Sequence, residues 1–274
     1  MTRVAVLTPD PADASHGELW PKVLARLQRA LDVVGIDTTP TPWTEHIDDA
    51  SGLQGFARVL PLLSWGYHFD HERWLRACAT WEQARVPLSN PAQVLAWNSD
   101  KRYLARLADI GIAIPSTTWS DHVIPEQVDA MFDATGAHEL ILKPSVSGGG
   151  WKTRRLRRGD VLDPMPSGIS MFGGRLSHVV NKLPVEGEFR VQEEFGGLYR
   201  LLESPPVRAL ALAEQVLAAI KEPLLYARID TVPDADGHWL LMEAELIEPD
   251  FYLGMDPTQG AGFAMALRAA IDAD

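Results

Sequence analysis

Short apolar runs alternate with longer segments of helical period through residues 1–90. Arg3–Thr8 (RVAVLT) is an apolar run of strand length. Leu19, Val23, Leu27 and Leu31 then recur on one face of a helix over Gly17–Val34, which Gly35 stops. Ile36–Trp43 reads as a second strand, and Arg58–Ser64 (RVLPLLS) as a third that Pro61 weakens. His71–Arg85 predicts a helix, and Val86–Ser89 a short strand before Asn90-Pro91. This order predicts a small parallel sheet with helices on its faces. No G-x-G-x-x-G follows the first strand, so a dehydrogenase reading loses its main support.

The texture changes after Asn98. Ser99–Ile110 reads as a helix capped by Ser99 or Asp100, with Gly111 beyond its end. A strand is expected at Ser116–Trp119, a helix near Pro125–Ala134 and a strand at Glu139–Lys143. Gly148-Gly149-Gly150 leads into a basic strand, Lys152–Arg158. From Ile169 the pattern turns antiparallel: Ile169–Phe172 and Arg175–Val180 flank a Gly173-Gly174 turn, and Phe189–Glu193 is another strand. Pro205–Ile220 is a long amphipathic helix, and Leu225–Val232 with His238–Ile247 forms a hairpin around Asp234–Gly237. The expected fold class is α/β followed by α+β.

Composition narrows the partners. With 274 residues, 46% hydrophobic and 23% charged, the chain is ordinary globular material of one large domain or two modest ones. Twenty-five basic against 37 acidic side chains give a net charge of −12, the wrong sign for a non-specific binder of nucleic acid or of an anionic membrane. The nearest approach to a membrane span, Ala209–Ile220, is short and broken by Glu214, and the start MTRVAVLTPD turns polar too quickly for a signal peptide. Cys78, the single cysteine, cannot form an intrachain disulfide, which fits a reducing cytosol. A cytoplasmic protein is expected.

The final hairpin holds the strongest chemistry. Arg228 and Asp230 are two apart on one strand, and Glu243 and Glu245 are two apart on its partner, so each pair shares a face. If the strands pair in that register, three carboxylates and an arginine converge; unpaired, they would cost several kcal/mol each in a core. A divalent cation resolves the conflict, and oxygen donors favour Mg²⁺ over zinc. The alternative is a solvated sheet face with a surface salt bridge. Upstream, Lys143 ends a buried strand and Ser147–Gly150 follows at once, a loop whose N–H groups can approach phosphate; plain flexibility explains a glycine run equally well. In Glu186–Gly197, Glu188, Arg190 and Gln192 share one face, and Arg190 could hold a phosphate or carboxylate bidentately.

Other residues carry less. His68 and His71 lack a third metal ligand nearby, whereas Trp65, Tyr67 and His68 follow a strand end, where substrates collect in α/β sheets. His178 and Lys182 are four apart on a strand and share a face, suited to substrate or phosphate contact. The basic run from Lys152 to Arg158 has no aromatic interleaving and reads as a solvated or phosphate-facing strand. Cys78 has no activating basic neighbour in its helix and reads as structural.

From about Asn90 to Leu253 these landmarks, in order, resemble the ATP-grasp superfamily, the fold of glutathione synthetase and D-alanine–D-alanine ligase. The resemblance implies nucleotide lysines at Lys101 (NSDKRYL) and Lys143, and a mobile phosphate loop at Ser147, Gly148, Gly149 and Gly150. It makes Arg190 (EFRVQEEFGG) the holder of the transferred phosphoryl group and Arg228 the arginine at the acyl phosphate. Asp230, Glu243 and Glu245 become the magnesium ligands, Glu245 standing where many relatives have asparagine. MEAELIEPDFYL and RLSHVVNK are similar to the bacterial branch that includes the D-cycloserine-forming ligase. The implied division is a Rossmann-like domain over 1–98, a small ATP-grasp subdomain with the glycine loop over 99–165, and a C-terminal subdomain with the metal site over 166–274. One departure is the short Gly159–Gly168 segment, where relatives place a helix and the hinge strand that binds adenine.

The implied activity is that of a ligase dependent on ATP and Mg²⁺, with Mn²⁺ as a possible substitute. It would activate a small carboxylate as an acyl phosphate for attack by an amine. The alternatives are an intramolecular, cyclising version and a degenerate nucleotide-binding scaffold. A homodimer is the base-rate expectation.

Overall fold

The parallel sheet forms as its apolar runs require. The computed structural model describes residues 2–13, 19–121, 125–157, 167–172, 175–183, 185 and 196–273. β1 (Thr2–Thr8) is followed by α1 (Leu19–Asp32), β2 (Ile36–Pro42) and β3 (Arg58–Leu60), with sheet order β2-β1-β3 and all pairs parallel. Gly35, at φ 73°, takes the left-handed turn that ends α1. The third strand stops at Leu60 rather than Ser64, because Pro61 has no N–H for the ladder. Val86–Ser89 contributes only an isolated bridge from Leu88 to Val59, interrupted by Pro87 and by Asn90 at φ 69°.

β1 is buried on both faces. Val4 and Val6 pack with Leu24, Leu27 and Leu31 of α1, while Ala5 and Leu7 face Trp74 and Trp81 of α2 (His71–Gln83). Asp70 caps α2 by accepting the Arg73 N–H at 3.1 Å.

The helix expected at Ser99–Ile110 forms as the shorter α4 (Tyr103–Asp109), and an unforeseen helix, α3 (Ala92–Asn98), precedes it. Ser99 does not cap the second helix; its hydroxyl donates back to the Ala96 carbonyl at 2.6 Å and closes the first. Residues 116–119 are irregular: among the described residues no strand pairs with them. α5 (Pro125–Thr135) precedes an antiparallel pair, β4 (Glu139–Leu142) with β5 (Arg154–Arg157).

β6 (Ser167–Phe172), β7 (Arg175–Leu183), β8 (Leu198–Leu202), α6 (Val207–Ala219), β9 (Tyr226–Pro233) and β10 (Trp239–Glu245) follow. The five strands form an antiparallel sheet in the order β10-β9-β6-β7-β8. β8 has no counterpart in the sequence expectations. The Gly173-Gly174 turn, most of the short 159–168 segment, and the strand expected at Phe189–Glu193 lie outside the described residues. α6 packs on one sheet face through Ala209, Leu212, Ala213 and Val216, against Ile229, Leu241 and Ala244.

α7 (Ala261–Asp272), also unforeseen, returns to the first sheet. Phe263, Ala264 and Leu267 join the cluster of Val4, Val6 and α1, and Arg268 Nη1 donates to Thr2 Oγ1 at 3.0 Å.

Candidate active site

The face of β9 and β10 opposite α6 carries the charges. Near the turn, Leu240 pairs with Val232 and Leu241 with Thr231. Continued unbroken, that register would set Met242 against Asp230 and turn Glu243 towards α6. Instead the register shifts between Leu241 and Glu243, with Met242 as the extra residue, so Glu243 pairs with Asp230 and Glu245 with Arg228. The bulge therefore brings the acidic pair onto the face of Arg228 and Asp230.

The outer edge of β10 is held rather than open. Asn98 donates to the Ala244 carbonyl at 2.8 Å and accepts the Leu246 N–H at 3.0 Å. The Tyr103 hydroxyl accepts the Ala244 N–H at 2.7 Å, and the Leu241 N–H donates to the Ala113 carbonyl at 2.8 Å. Asn90 donates to the carbonyls of both Tyr226 (3.0 Å) and Leu246 (2.8 Å), tying the two strands together at the base of the site. Neither asparagine stood out in the sequence, because a single buried amide has no periodic signature.

On this face the Arg228 guanidinium grips Asp230 through Nε–Oδ1 at 3.0 Å and Nη2–Oδ2 at 3.1 Å, and also bonds the Glu245 carboxylate. Lys182, from β7, reaches Asp230 Oδ2 at 2.6 Å across Gly168, which pairs with Asp230 and has no side chain to intervene. Lys101 Nζ lies 2.5 Å from Glu243 Oε1 and donates to the Ser147 carbonyl at 3.1 Å.

The pKa shifts follow from these contacts. Burial alone would raise Asp230 and Glu243, but Arg228 and Lys182 hold the first below the usual carboxylate range, and Lys101 and Lys143 hold the second there. Burial also dominates at Glu245, and with Glu243 and Asp230 beside it the group is pushed up to about 7 despite Arg228. Burial lowers Lys143, Glu243 opposing the shift and Lys101 adding to it.

Carboxylate oxygens of Asp230, Glu243 and Glu245 lie within 4.8 Å of one another. Hard oxygen donors in that spacing, with one carboxylate short of positive charge, fit a divalent cation of the Mg²⁺ type. A second acidic group, Asp234, Asp236 and His238, sits in the exposed β9–β10 turn, where Asp234 accepts the Asp236 and His238 N–H groups.

The glycine loop borders the same space. The Lys101 N–H donates to the Ser145 carbonyl at 2.8 Å, and the Ser147 hydroxyl turns back to Pro144 at 3.4 Å. Gly149 and Gly150 take φ values of 55° and 73°, conformations that β-carbons disfavour. Trp151 packs on His68 and Phe69, at 5.4 and 5.7 Å between ring centres.

The expected substrate residues separate. His68 meets the loop, Tyr67 is buried on Trp74 with the acidic cluster near enough to raise its hydroxyl pKa further, and Lys182 belongs to the charged face. Trp65 instead packs into the core beside β1, its carbonyl accepting from Trp43. His178 is committed to the Phe251 carbonyl at 2.7 Å and so anchors the stretch after β10. Arg190 lies outside the described residues. Tyr252, unforeseen, places its ring 5.4 Å from the Arg228 guanidinium and 5.5 Å from Lys182 Nζ.

No family model matches the chain. The cycloserine biosynthesis protein DcsG of Streptomyces lavendulae is 25% identical over 278 residues, spanning 88% of this chain and 91% of that protein. The crystal structure of D-cycloserine synthetase DcsG superposes with a TM-score of 0.78 at 22% identity, covering 98% and 99% of the two chains. D-alanine–D-alanine ligase of Bacillus anthracis does so with a TM-score of 0.70 at 15% identity over the full length of both, and the ATP-grasp ligase PsnB with 0.65 at 18%, covering 100% and 99%. These superpositions show that the chain has the ATP-grasp fold.

Proposed function

We propose that the protein is an ATP-dependent ligase that joins a small carboxylate to an amine, with Mg²⁺ held by Asp230, Glu243 and Glu245. The observation that carries this reading is the convergence of those carboxylates, within 4.8 Å, between buried cations and a glycine loop. Mg²⁺, or Mn²⁺ on the same oxygen donors, would neutralise phosphate charge when bound. Lys101 and Lys143 reach the same space and would hold the nucleotide phosphates. A substrate carboxylate oxygen attacks the γ-phosphorus; the bond to the β-phosphate breaks and ADP leaves. The amine then attacks the acyl carbon and displaces inorganic phosphate. Arg228, fixed by Asp230 and by Tyr252, would steady the oxyanion of that second step, with Arg190 expected at the transferring phosphoryl group. The Ser147–Gly150 loop would keep water from the acyl phosphate. No covalent enzyme nucleophile is required. The net charge of −12 favours small substrates over nucleic acid.

The match to a cycloserine biosynthesis protein favours a second reading, in which the attacking nitrogen belongs to the activated molecule itself. One substrate rather than two for ADP release distinguishes it.

Thermal unfolding with a non-hydrolysable ATP analogue, with and without Mg²⁺, tests the site. Ligand at a hundred times its dissociation constant adds about 2.7 kcal/mol, a rise of several degrees in midpoint. The rise should need Mg²⁺ and should vanish in Glu243→Gln. No rise at millimolar analogue would favour a scaffold that has kept the fold without nucleotide binding.

A further inference from the structure

The glycine loop and its two strands need holding in place. From Glu139 to Arg157 every residue but Ser147 is at least partly exposed, and among the described strands β4 and β5 pair only with each other. A two-stranded sheet is marginally stable in water. One fastening is polar: Lys101 bonds the Ser145 and Ser147 carbonyls at the start of the loop. The end of the loop is held differently. Two tight turns follow each other there, the Trp151 N–H donating to the Gly148 carbonyl at 2.9 Å and the Thr153 N–H to the Gly150 carbonyl at 3.0 Å. Lys152, like the glycines before it, takes a left-handed φ, 54°, which its β-carbon disfavours. Trp151 stands among these constrained residues. Its ring meets His68 and Phe69 steeply, at interplanar angles of 60° and 79°, and Lys152 Nζ lies 4.1 Å from its centre.

The receiving side is preset. Gly66, at φ 89°, opens a short helical turn over Tyr67–Phe69; Tyr67 is buried against Trp74, and Asp70 caps α2 directly afterwards. With Tyr67 anchored inwards, Phe69 is carried to the surface and is 50% exposed even with Trp151 beside it. Gly148 lets the loop seat closely. A β-carbon there would lie 3.2 Å from His68 Nδ1 and would press on the imidazole.

We infer that Trp151, His68 and Phe69 form an aromatic clasp that fastens the end of the glycine loop to the segment between β3 and α2. They are positioning residues, acting through the loop and not on the reacting atoms. The clasp needs no ligand. Its use, keeping the loop over the phosphates, rests on the ligase reading.

Lys152, Arg154, Arg155 and Arg157 adjoin the clasp and are trypsin sites, so they report its opening. Brief digestion of the folded chain, read by mass spectrometry, gives the cleavage rate over residues 152–157. Without nucleotide, Trp151→Ala and Phe69→Ala should each raise that rate at least about tenfold, with the melting midpoint within about 2 °C of wild type. The double variant should be no faster than the faster single one, because both remove the same contact. Phe69→Tyr, which keeps the ring, should be cut at the wild-type rate. Wild-type rates in both alanine variants overturn the clasp, as do accelerations that multiply in the double variant. Faster cleavage spread over the whole chain overturns it too, since that marks general unfolding. The non-hydrolysable ATP analogue with Mg²⁺ should slow cleavage further in wild type. If it does not, while the alanine variants still open, the clasp stands and the loop's part in holding phosphate falls.

Discussion

β1 and β9 are both almost wholly buried, yet they are opposite in chemistry. Val4, Ala5, Val6 and Leu7 make β1 apolar on both faces, and it serves only to be packed between α1, α7 and α2. β9 is buried from Tyr226 to Val232, but Arg228 and Asp230 interrupt its apolar residues on one face. Burial alone therefore does not separate a structural strand from a functional one. Buried charges do, because each costs several kcal/mol unless partners are built around it. In β9 those partners arrive from β7, from β10 and from the stretch after it, and the outlay makes sense only where the charges are used.

The sharpest break of this contrast is to give β1 a charge. Val6→Asp, fully buried with apolar neighbours, should cost about 5 kcal/mol or more, comparable to the stability of a whole domain, and be seen as loss of soluble protein or of a cooperative melt. Next is an exchange across β10. Glu243→Ala combined with Ala244→Glu leaves the composition unchanged but turns a carboxylate towards α6, where residue 244 is 1% exposed. A loss of about 3–5 kcal/mol in denaturant melts and no Mg²⁺-dependent nucleotide shift are expected. The smallest effect should come from deleting Met242. This removes the bulge but keeps Glu243 opposite Asp230, so about 1–2 kcal/mol should be lost while the nucleotide shift survives. If the shift vanished too, the bulge would be shaping the site beyond setting its register.

Much of this site was legible because alternation marks a strand face: residues two apart placed Arg228 with Asp230 and Glu243 with Glu245. That the two pairs meet depends on the Met242 bulge, which alternation does not reveal and the sequence around the turn argues against. The helix expected at 99–110 begins only at Tyr103, because Ser99 suits the end of one helix as well as the start of another. The strand expected at 116–119 has the right residues but, among the described residues, no neighbour to pair with. α7 was missed although its apolar residues are helical in period.

The return of α7 to β1 sets an order of events during synthesis. Val4 and Val6 leave the ribosome long before Phe263 and Leu267, which are part of their cover. The α6 side of the antiparallel sheet has its described cover by Leu246 and can close while the first sheet still lacks one wall. A nascent chain stalled before residue 261 should therefore expose apolar surface around β1 rather than at its growing end, and chaperone recognition should fall there.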